Sequence, residues 1–233
     1  MFDRSSEVDL ETGYAAASDW YFQMVFVATT ASIVSGALAE RILIWPFFLF
    51  TAILTAFIYP IAGSWQWGGG WLSEMGFSDF AGSTLVHSVG GYAALAGAIL
   101  LGARDGKYSA DGKVNVIGGC SLPMTTLGVF ILWLGWFGFN GGSQLALGSG
   151  ADATAVADIF VNTNLAAAGG VLACMIVSKA TNSHTNIAAT LNGAIAGLVA
   201  ITAEPLTPSM GQAVIIGAIG GITVSYTHLR AHE

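Results

Sequence analysis

The chain alternates long apolar runs with short polar connections, and the lengths of the runs predict membrane-spanning helices. A helix needs about 20 mostly apolar residues to cross the hydrocarbon core of a bilayer. Roughly seven stretches meet this requirement, near 19–40, 43–63, 79–103, 118–140, 154–178, 186–203 and 210–224. The last is short and stops at the polar tail YTHLRAHE. The pattern predicts an all-α, polytopic membrane helical bundle.

Composition supports this class and excludes others. Of the 233 residues, 54% are hydrophobic and 9% are charged, whereas soluble domains carry about 25% charged residues. Without a basic patch, nucleic acid is not an expected partner. No metal-ligand cluster and no nucleophile–base pair stands out, so we expect neither a cofactor nor enzyme activity.

The basic residues fix the predicted orientation, because excess Lys and Arg marks cytoplasmic loops. Bases follow the first, third and fifth spans, as Arg41, then Arg104, Lys107 and Lys113, then Lys179. The connections 64–78, 141–153 and 204–209 carry none. Residues 1–18 are therefore predicted to be an extracytoplasmic loop, although Arg4 lies there among acids, and the chain to be a multi-pass protein of the inner membrane.

This orientation gathers aromatic and hydroxyl side chains at the outer surface. Phe22 and Phe26, four residues apart, share one side of the first helix. Asp79 begins the third span at the same level. The other members are Trp65, Trp67 and Trp71 of a loop, and Trp136, Phe139, Asn140 and Ser143 at the end of the fourth span.

Each of these residues also has a purely structural interpretation. Outer tryptophans commonly form an interfacial belt, and the two phenylalanines of the first span can face lipid or pack. The Asp79 carboxylate can simply cap the free N–H groups of its helix. Small-xxx-small glycine pairs (Gly138–Gly142, Gly193–Gly197 and Gly217–Gly221) indicate close helix packing and no particular function.

His87 is the unusual residue, because ionisable groups inside spans are costly and mark pathways or paired sites. It follows Asp79 by eight residues, which predicts a position about 12 Å deeper. A neutral imidazole bonded to Ser83, Thr84 or a backbone carbonyl is an alternative. Haem ligation is a weaker one, because haem between helices usually has two axial ligands at matched depth, and the other histidines, His184, His228 and His232, lie in loops or the tail.

Six sequence blocks resemble the ammonium transporter family (Amt/Mep/Rh), in order and at the family's spacings. The main block is DFAGSTLVHSVGGYAALAGAILLGAR (79–104), which matches the family signature. The others are GALAERI (36–42), WGGG (67–70), GWFGFNGGS (135–143), FVNT (160–163) and NGAIAGLVAIT (192–202). Together they cover essentially residues 19–224.

The resemblance implies a larger fold than this chain holds. The family has eleven spanning helices in two inverted halves and assembles as a homotrimer with one pore per subunit. By resemblance, residues 19–224 are a partial transporter domain, running from the third helix into the ninth. Residues 225–233 fit no family helix and are expected to be a non-native tail.

The resemblance also assigns roles to individual residues. It implies that Trp67, Phe26 and Ser143 form the outer ammonium site, which Asp79 supports. Phe26 and Phe139 resemble the phenyl gate, with Phe22 nearby. His87 resembles the first of two pore histidines, the second lying beyond this chain, and Trp136 and Thr202 match pore-lining positions.

The function implied is recruitment of NH₄⁺, its deprotonation, and conduction of NH₃ past His87 across the lipid bilayer. An ammonium sensor of the same fold is the alternative, and a cytosolic nitrogen-regulatory trimer is a partner expected for a full-length protein. A neutral-solute channel of the aquaporin type ranks low, because no paired Asn-Pro-Ala motifs occur.

Overall fold

A computed structural model describes residues 14–115, 117–182 and 184–230. Contacts divide the chain into two compact units, Met1–Ile117 and Gly118–Glu233. Among the described residues the regular structure is helical apart from isolated bridges, so the all-α prediction is confirmed. Each predicted span corresponds to a helix.

The described part of the first unit contains four helices: α1 (Ala16–Leu38), α2 (Ile44–Ser64), the short α3 (Trp71–Glu74) and α4 (Ser83–Leu101). Two of them contain π-helical segments, Leu54–Ile58 in α2 and Ser83–Ser88 in α4. The second unit contains α5 (Leu122–Gly142), α6 (Gly150–Asn182), α7 (Ile187–Ile201) and α8 (Met210–Arg230).

Six of these helices are long and apolar enough to cross a bilayer, namely α1, α2, α4, α5, α6 and α8. The sixth predicted span, 186–203, corresponds to α7, which has 15 residues, or about 22 Å of helix. This is shorter than the roughly 30 Å hydrocarbon core. Large apolar side chains on the outside of the helices are exposed, as with Leu100 (86%) and Trp45 (77%), which suits a lipid surrounding.

In the first unit α1 packs against α4 through a stripe of buried residues, Phe26, Thr30, Ala31, Val34 and Leu38. The Thr30 hydroxyl lies 3.3 Å from the Val86 carbonyl oxygen. A Cβ added to Gly90 would lie 2.9 Å from the Thr30 carbonyl oxygen, so the two backbones meet where a larger residue would not fit.

Arg41 joins the ends of these same helices. Its guanidinium donates to the carbonyl of Ala37 in the last turn of α1 and, at 2.6 Å, to the carbonyl of Gly102 after α4. Cations are favoured at helix C-termini, where carbonyls lack partners. Beside it, Arg104 pairs with Glu40 at 3.4 Å.

In the second unit α6, α7 and α8 pack closely through small residues. The carbonyl of Ala166 on α6 lies against both Gly197 of α7 and Gly217 of α8, where an added Cβ would clash with it. The predicted close packing is thus confirmed for the last two glycine pairs. At Gly138 an added Cβ would meet nothing within 4 Å among the described residues, so close packing of the first pair stays a prediction.

Several helix ends differ from the apolar runs because polar caps set them. Ser149 and Asp152 cap each other reciprocally, with the Ser149 hydroxyl accepting from the Asp152 N–H at 3.1 Å, so α6 begins at Gly150 rather than 154. Ser121 likewise accepts from the Met124 N–H, which starts α5 at Leu122 rather than 118.

The last helix continues past the predicted end at 224. Ser225 is 5% exposed, and its hydroxyl lies 2.8 Å from the Cys174 sulfur and donates to the Gly221 carbonyl. The non-native origin of 225–233 stays a prediction. Residues 1–13 of the predicted outer loop, with Arg4, and residues 231–233, with His232, lie outside the described residues.

Candidate functional site

Asp79 lies in front of α4 and accepts four backbone hydrogen bonds. One carboxylate oxygen receives the N–H groups of Gly82 and Ser83 at 3.0 and 2.9 Å, and the other those of Thr84 and Leu85, both at 2.8 Å. Asp79 is 1% exposed. Its charge therefore satisfies the free N–H groups at the positive end of the helix. This is the capping role that the sequence allowed, and it makes any action on a cation indirect.

Trp67 is fixed to the same turn. Its indole N–H donates to the backbone carbonyl of Asp79 at 2.9 Å. The Trp67 ring meets Phe26 edge to face at 5.8 Å between centroids, and Phe26 meets Phe22 in the same manner at 4.6 Å. The predicted common side of Phe22 and Phe26 is confirmed. The structure thus brings four of the predicted site residues together within the first unit.

His87 lies in the π-helical turn that opens α4. The carbonyl of Gly82 accepts from the N–H groups of Val86 and His87 at 3.0 and 3.1 Å, and its oxygen is also 3.1 Å from His87 Nδ1. Gly82 has φ of +95°, a conformation suited to glycine. π-turns are frequent at functional sites.

The carbonyl contact indicates which nitrogen of His87 carries the proton. A carbonyl oxygen only accepts, so a neutral ring bonded through Nδ1 has its hydrogen there and leaves Nε2 as the acceptor. The alternative of an imidazole bonded to a backbone carbonyl is thus observed. It is compatible with the expected pore role, because in this tautomer Nε2 is the acceptor nitrogen of the ring.

The helix that carries His87 begins later than the sequence predicts, and the depth of His87 stays a prediction. The helix begins at Ser83 rather than at Asp79, because the Asp79 side chain caps it from outside. His87 follows the first helical residue by four positions, within the π-helical segment Ser83–Ser88. The unbroken α-helix from Asp79, which gave the expected depth of about 12 Å, is therefore not present.

In the second unit a hydrogen-bonded network surrounds Trp136. The Trp136 indole N–H donates to the Thr202 hydroxyl at 2.8 Å, and that hydroxyl lies 3.2 Å from Asn140 Oδ1. Asn140 Nδ2 in turn donates to the Thr163 hydroxyl at 3.0 Å. Asn140, Thr163 and Thr202 are fully buried. The two residues predicted to line a pore, Trp136 and Thr202, are therefore direct partners.

Phe139 and Ser143 lie at the same end of α5. The Phe139 ring is 5.8 Å from that of Trp136, and the Ser143 hydroxyl donates to the Phe139 carbonyl at 2.8 Å. The Ser143 oxygen lone pairs are thereby left as acceptors. Phe26 and Phe139 belong to different units, so their pairing as a gate stays a prediction, as does the joining of Ser143 with Trp67.

Asn140 and Thr163 are the network residues to which the sequence pattern assigned no individual role. A signal existed, because Asn140 follows Trp136 by four residues and so shares its side of α5. A buried amide needs partners, and the hydroxyl that supplies one, Thr163, lies in the quoted FVNT block.

Comparison with known proteins gives the family. The family model described as Ammonium Transporter Family matches residues 4–232. Ammonium transporter Amt2 of Archaeoglobus fulgidus is 46% identical over 217 residues, covering 89% of this chain and 46% of that protein.

Solved structures agree. The structure of a protein named Sensor Amt Protein matches with a TM-score of 0.86 and 44% identity, over 91% of this chain and 53% of that one. Mep2 of Candida albicans matches with a TM-score of 0.82 and 34% identity, over 93% and 48%. This chain therefore spans about half the length of the relatives it matches. It is a multi-pass membrane protein and belongs to the ammonium transporter family, a family of transporters rather than enzymes, as the sequence predicts.

Proposed function

We propose that the whole protein to which this chain belongs carries ammonium across the membrane, by binding NH₄⁺ at an outer aromatic site, deprotonating it and passing NH₃ beyond His87. The observation that carries the proposal is the arrangement in the first unit. A cluster of aromatic rings, Phe22, Phe26 and Trp67, is attached through Asp79 to the helical turn that holds His87.

The aromatic cluster offers partial replacement for water. Removing a cation from water without compensation costs several kcal/mol or far more. A cation over an aromatic face gains about 0.5–2 kcal/mol. The Ser143 oxygen can add an acceptor, and the buried Asp79 carboxylate adds negative potential without direct contact.

His87 suits the neutral form of the substrate. With Nδ1 bonded to the Gly82 carbonyl, the Nε2 lone pair can accept a hydrogen bond from NH₃ or take up a proton. A permanent charge at this position would be costly in an apolar pore. A neutral imidazole avoids that cost.

Further parts of the proposal come from family membership. The whole protein is proposed to form a homotrimer in the inner membrane, with residues 1–18 outside and a cytosolic nitrogen-regulatory trimer as partner. Phe26 and Phe139 form the gate, Trp136 and Thr202 line the pore, and a second pore histidine lies beyond this chain.

The test is transport by the protein from the complete gene, reconstituted in liposomes. We expect methylammonium uptake and ammonium-dependent current, with potassium excluded. Absence of both in correctly folded protein would contradict the proposal.

An ammonium sensor is a second candidate, favoured by the 44% identity to the protein named Sensor Amt Protein. A signalling domain attached in the complete gene, together with ammonium binding that occurs without uptake, would favour this candidate.

A further inference from the structure

We propose that Asn140 is a positioning residue that holds the Trp136 and Phe139 rings in the orientation needed at the ammonium pathway. This inference rests on the proposed function. It concerns a residue to which the proposed function gives no contact with ammonium, and whose amide links α5 to α6 and to the residue directly after α7.

The position of Asn140 supports this role. It lies on α5 and is fully buried. Its Nδ2 donates to Thr163 on α6, and its Oδ1 lies within hydrogen-bond distance of the Thr202 hydroxyl directly after α7. A single amide therefore fixes how the end of α5 is rotated against both neighbours.

The Thr202 hydroxyl transmits this constraint to the indole. Its oxygen accepts from the Trp136 N–H at 2.8 Å, while its single proton faces two acceptors, the Leu198 carbonyl at 2.7 Å and Asn140 Oδ1 at 3.2 Å. Those contacts orient the lone pair that the indole uses. Without the Asn140 amide, the Thr202 hydroxyl proton keeps only the Leu198 carbonyl as acceptor. The hydroxyl that accepts from the indole N–H is then less restricted in its orientation.

Phe139 depends on the same rotation, since it is the neighbour of Asn140 in sequence. Its ring lies 5.8 Å from that of Trp136. A turn of the α5 end that relaxes Asn140 therefore moves both rings together, along with Ser143, whose hydroxyl is bonded to the Phe139 carbonyl.

An amide is the side chain that fits this place. It supplies both a donor and an acceptor, as the two flanking threonines require. An aspartate would accept only and would bury an unpaired charge, which is strongly unfavourable. A leucine of similar size would leave each of the two threonine hydroxyls without one partner.

The test compares Asn140→Ala and Thr163→Val with a matched control, Asn162→Ala, in the complete protein reconstituted in liposomes. Asn162 is also buried and donates to two carbonyls, those of Pro205 and Pro208. Its partners lie in a loop instead of on α5. Each variant is measured for methylammonium uptake as a function of concentration and for thermal unfolding.

We expect Asn140→Ala to raise KM about three- to tenfold, the factor that corresponds to one hydrogen bond. Thr163→Val should also raise KM, whereas Thr163→Ser keeps the hydroxyl and should have a KM much closer to that of the wild type. In the double variant Asn140→Ala/Thr163→Val, the two effects on KM should be less than additive. Asn162→Ala should lower the unfolding temperature with KM unchanged. Wild-type KM in folded Asn140→Ala protein would overturn the inference.

A second measurement is independent of transport. The Trp136 indole N–H, identified in NMR spectra by its loss in Trp136→Phe, should exchange with solvent about tenfold faster in Asn140→Ala. Unchanged exchange would overturn the positioning role. If wild-type protein carries no ammonium, the proposed function fails by itself, and the exchange rate still decides whether Asn140 positions Trp136.

Discussion

The indole N–H of Trp67 donates to the backbone carbonyl of Asp79 at 2.9 Å, so the aromatic site and the helix that carries His87 share one fixed point. The carbonyl and the carboxylate of Asp79 bind different parts of the structure. The carbonyl holds an aromatic ring of the proposed recruitment site, and the carboxylate holds the first turn of α4. Displacing this residue is therefore expected to affect both.

Removing the hydrogen bond from the Trp67 indole to the Asp79 carbonyl tests the connection to the aromatic site. Trp67→Phe keeps an aromatic face and loses the N–H donor, so we expect a KM for methylammonium about three- to tenfold higher with little change in maximal rate. Trp71→Phe is the control, because Trp71 is half exposed and its indole contacts Trp65. Equal effects of the two substitutions would refute a specific role of the Trp67 bond.

The Asp79 carboxylate is expected to be a stability determinant. Asp79→Asn keeps the size but replaces one acceptor oxygen with a donor facing the N–H groups of α4. Losing charge-assisted bonds and leaving buried N–H groups unpaired should cost about 2–4 kcal/mol in the free energy of unfolding. Denaturant unfolding of detergent-solubilised protein measures this. The exposed Asp111→Asn is the control, and a loss no larger than in that control would contradict the account.

Phe139 is expected to determine selectivity through its ring. In Phe139→Ala the proposed barrier to hydrated ions is opened, so we expect the preference for ammonium over potassium to fall about tenfold or more. Phe137→Ala is a matched control on the same helix, since Phe137 packs on Phe160. Ion currents across planar bilayers measure both variants. An unchanged preference in Phe139→Ala would count against the gate.

Helix packing in the second unit predicts opposite effects at two glycines. Gly217→Ala places a methyl group against the Ala166 carbonyl, so we expect a loss of about 1–3 kcal/mol from overpacking. At Gly138 the added methyl meets open space, and alanine favours helix by up to about 1 kcal/mol. Thermal unfolding of the two variants should shift in opposite directions. An unchanged unfolding temperature in Gly217→Ala would show that α6 and α8 lie farther apart than the structure has them.

Much of this architecture was predictable from the hydrophobic pattern. Each of the seven apolar runs is a helix, because run length reports burial in lipid. The helix ends were less predictable, since Ser149 and Asp79 set them through hydrogen bonds that hydropathy does not register. The helix that carries His87 begins later than predicted for that reason.

The contacts of the candidate site likewise include some that residue spacing predicts and others that it does not. Spacing placed Phe22 beside Phe26, because four residues make about one helical turn. Spacing indicated that Asn140 shares a helix side with Trp136, but not that it meets Thr163 and Thr202, 23 and 62 positions away along the chain. Contacts of that kind depend on which helix faces pack together, and only the structure gives them.

The most direct test of the central claim is ammonium transport by His87→Ala in the complete protein, measured in liposomes beside His184→Ala. His184 is an exposed loop histidine, so its removal controls for loss of an imidazole. We expect His87→Ala to reduce selective ammonium current and methylammonium uptake about tenfold or more, and His184→Ala to transport at the wild-type rate. Wild-type selective transport by folded His87→Ala protein would contradict the claim that ammonia passes this histidine.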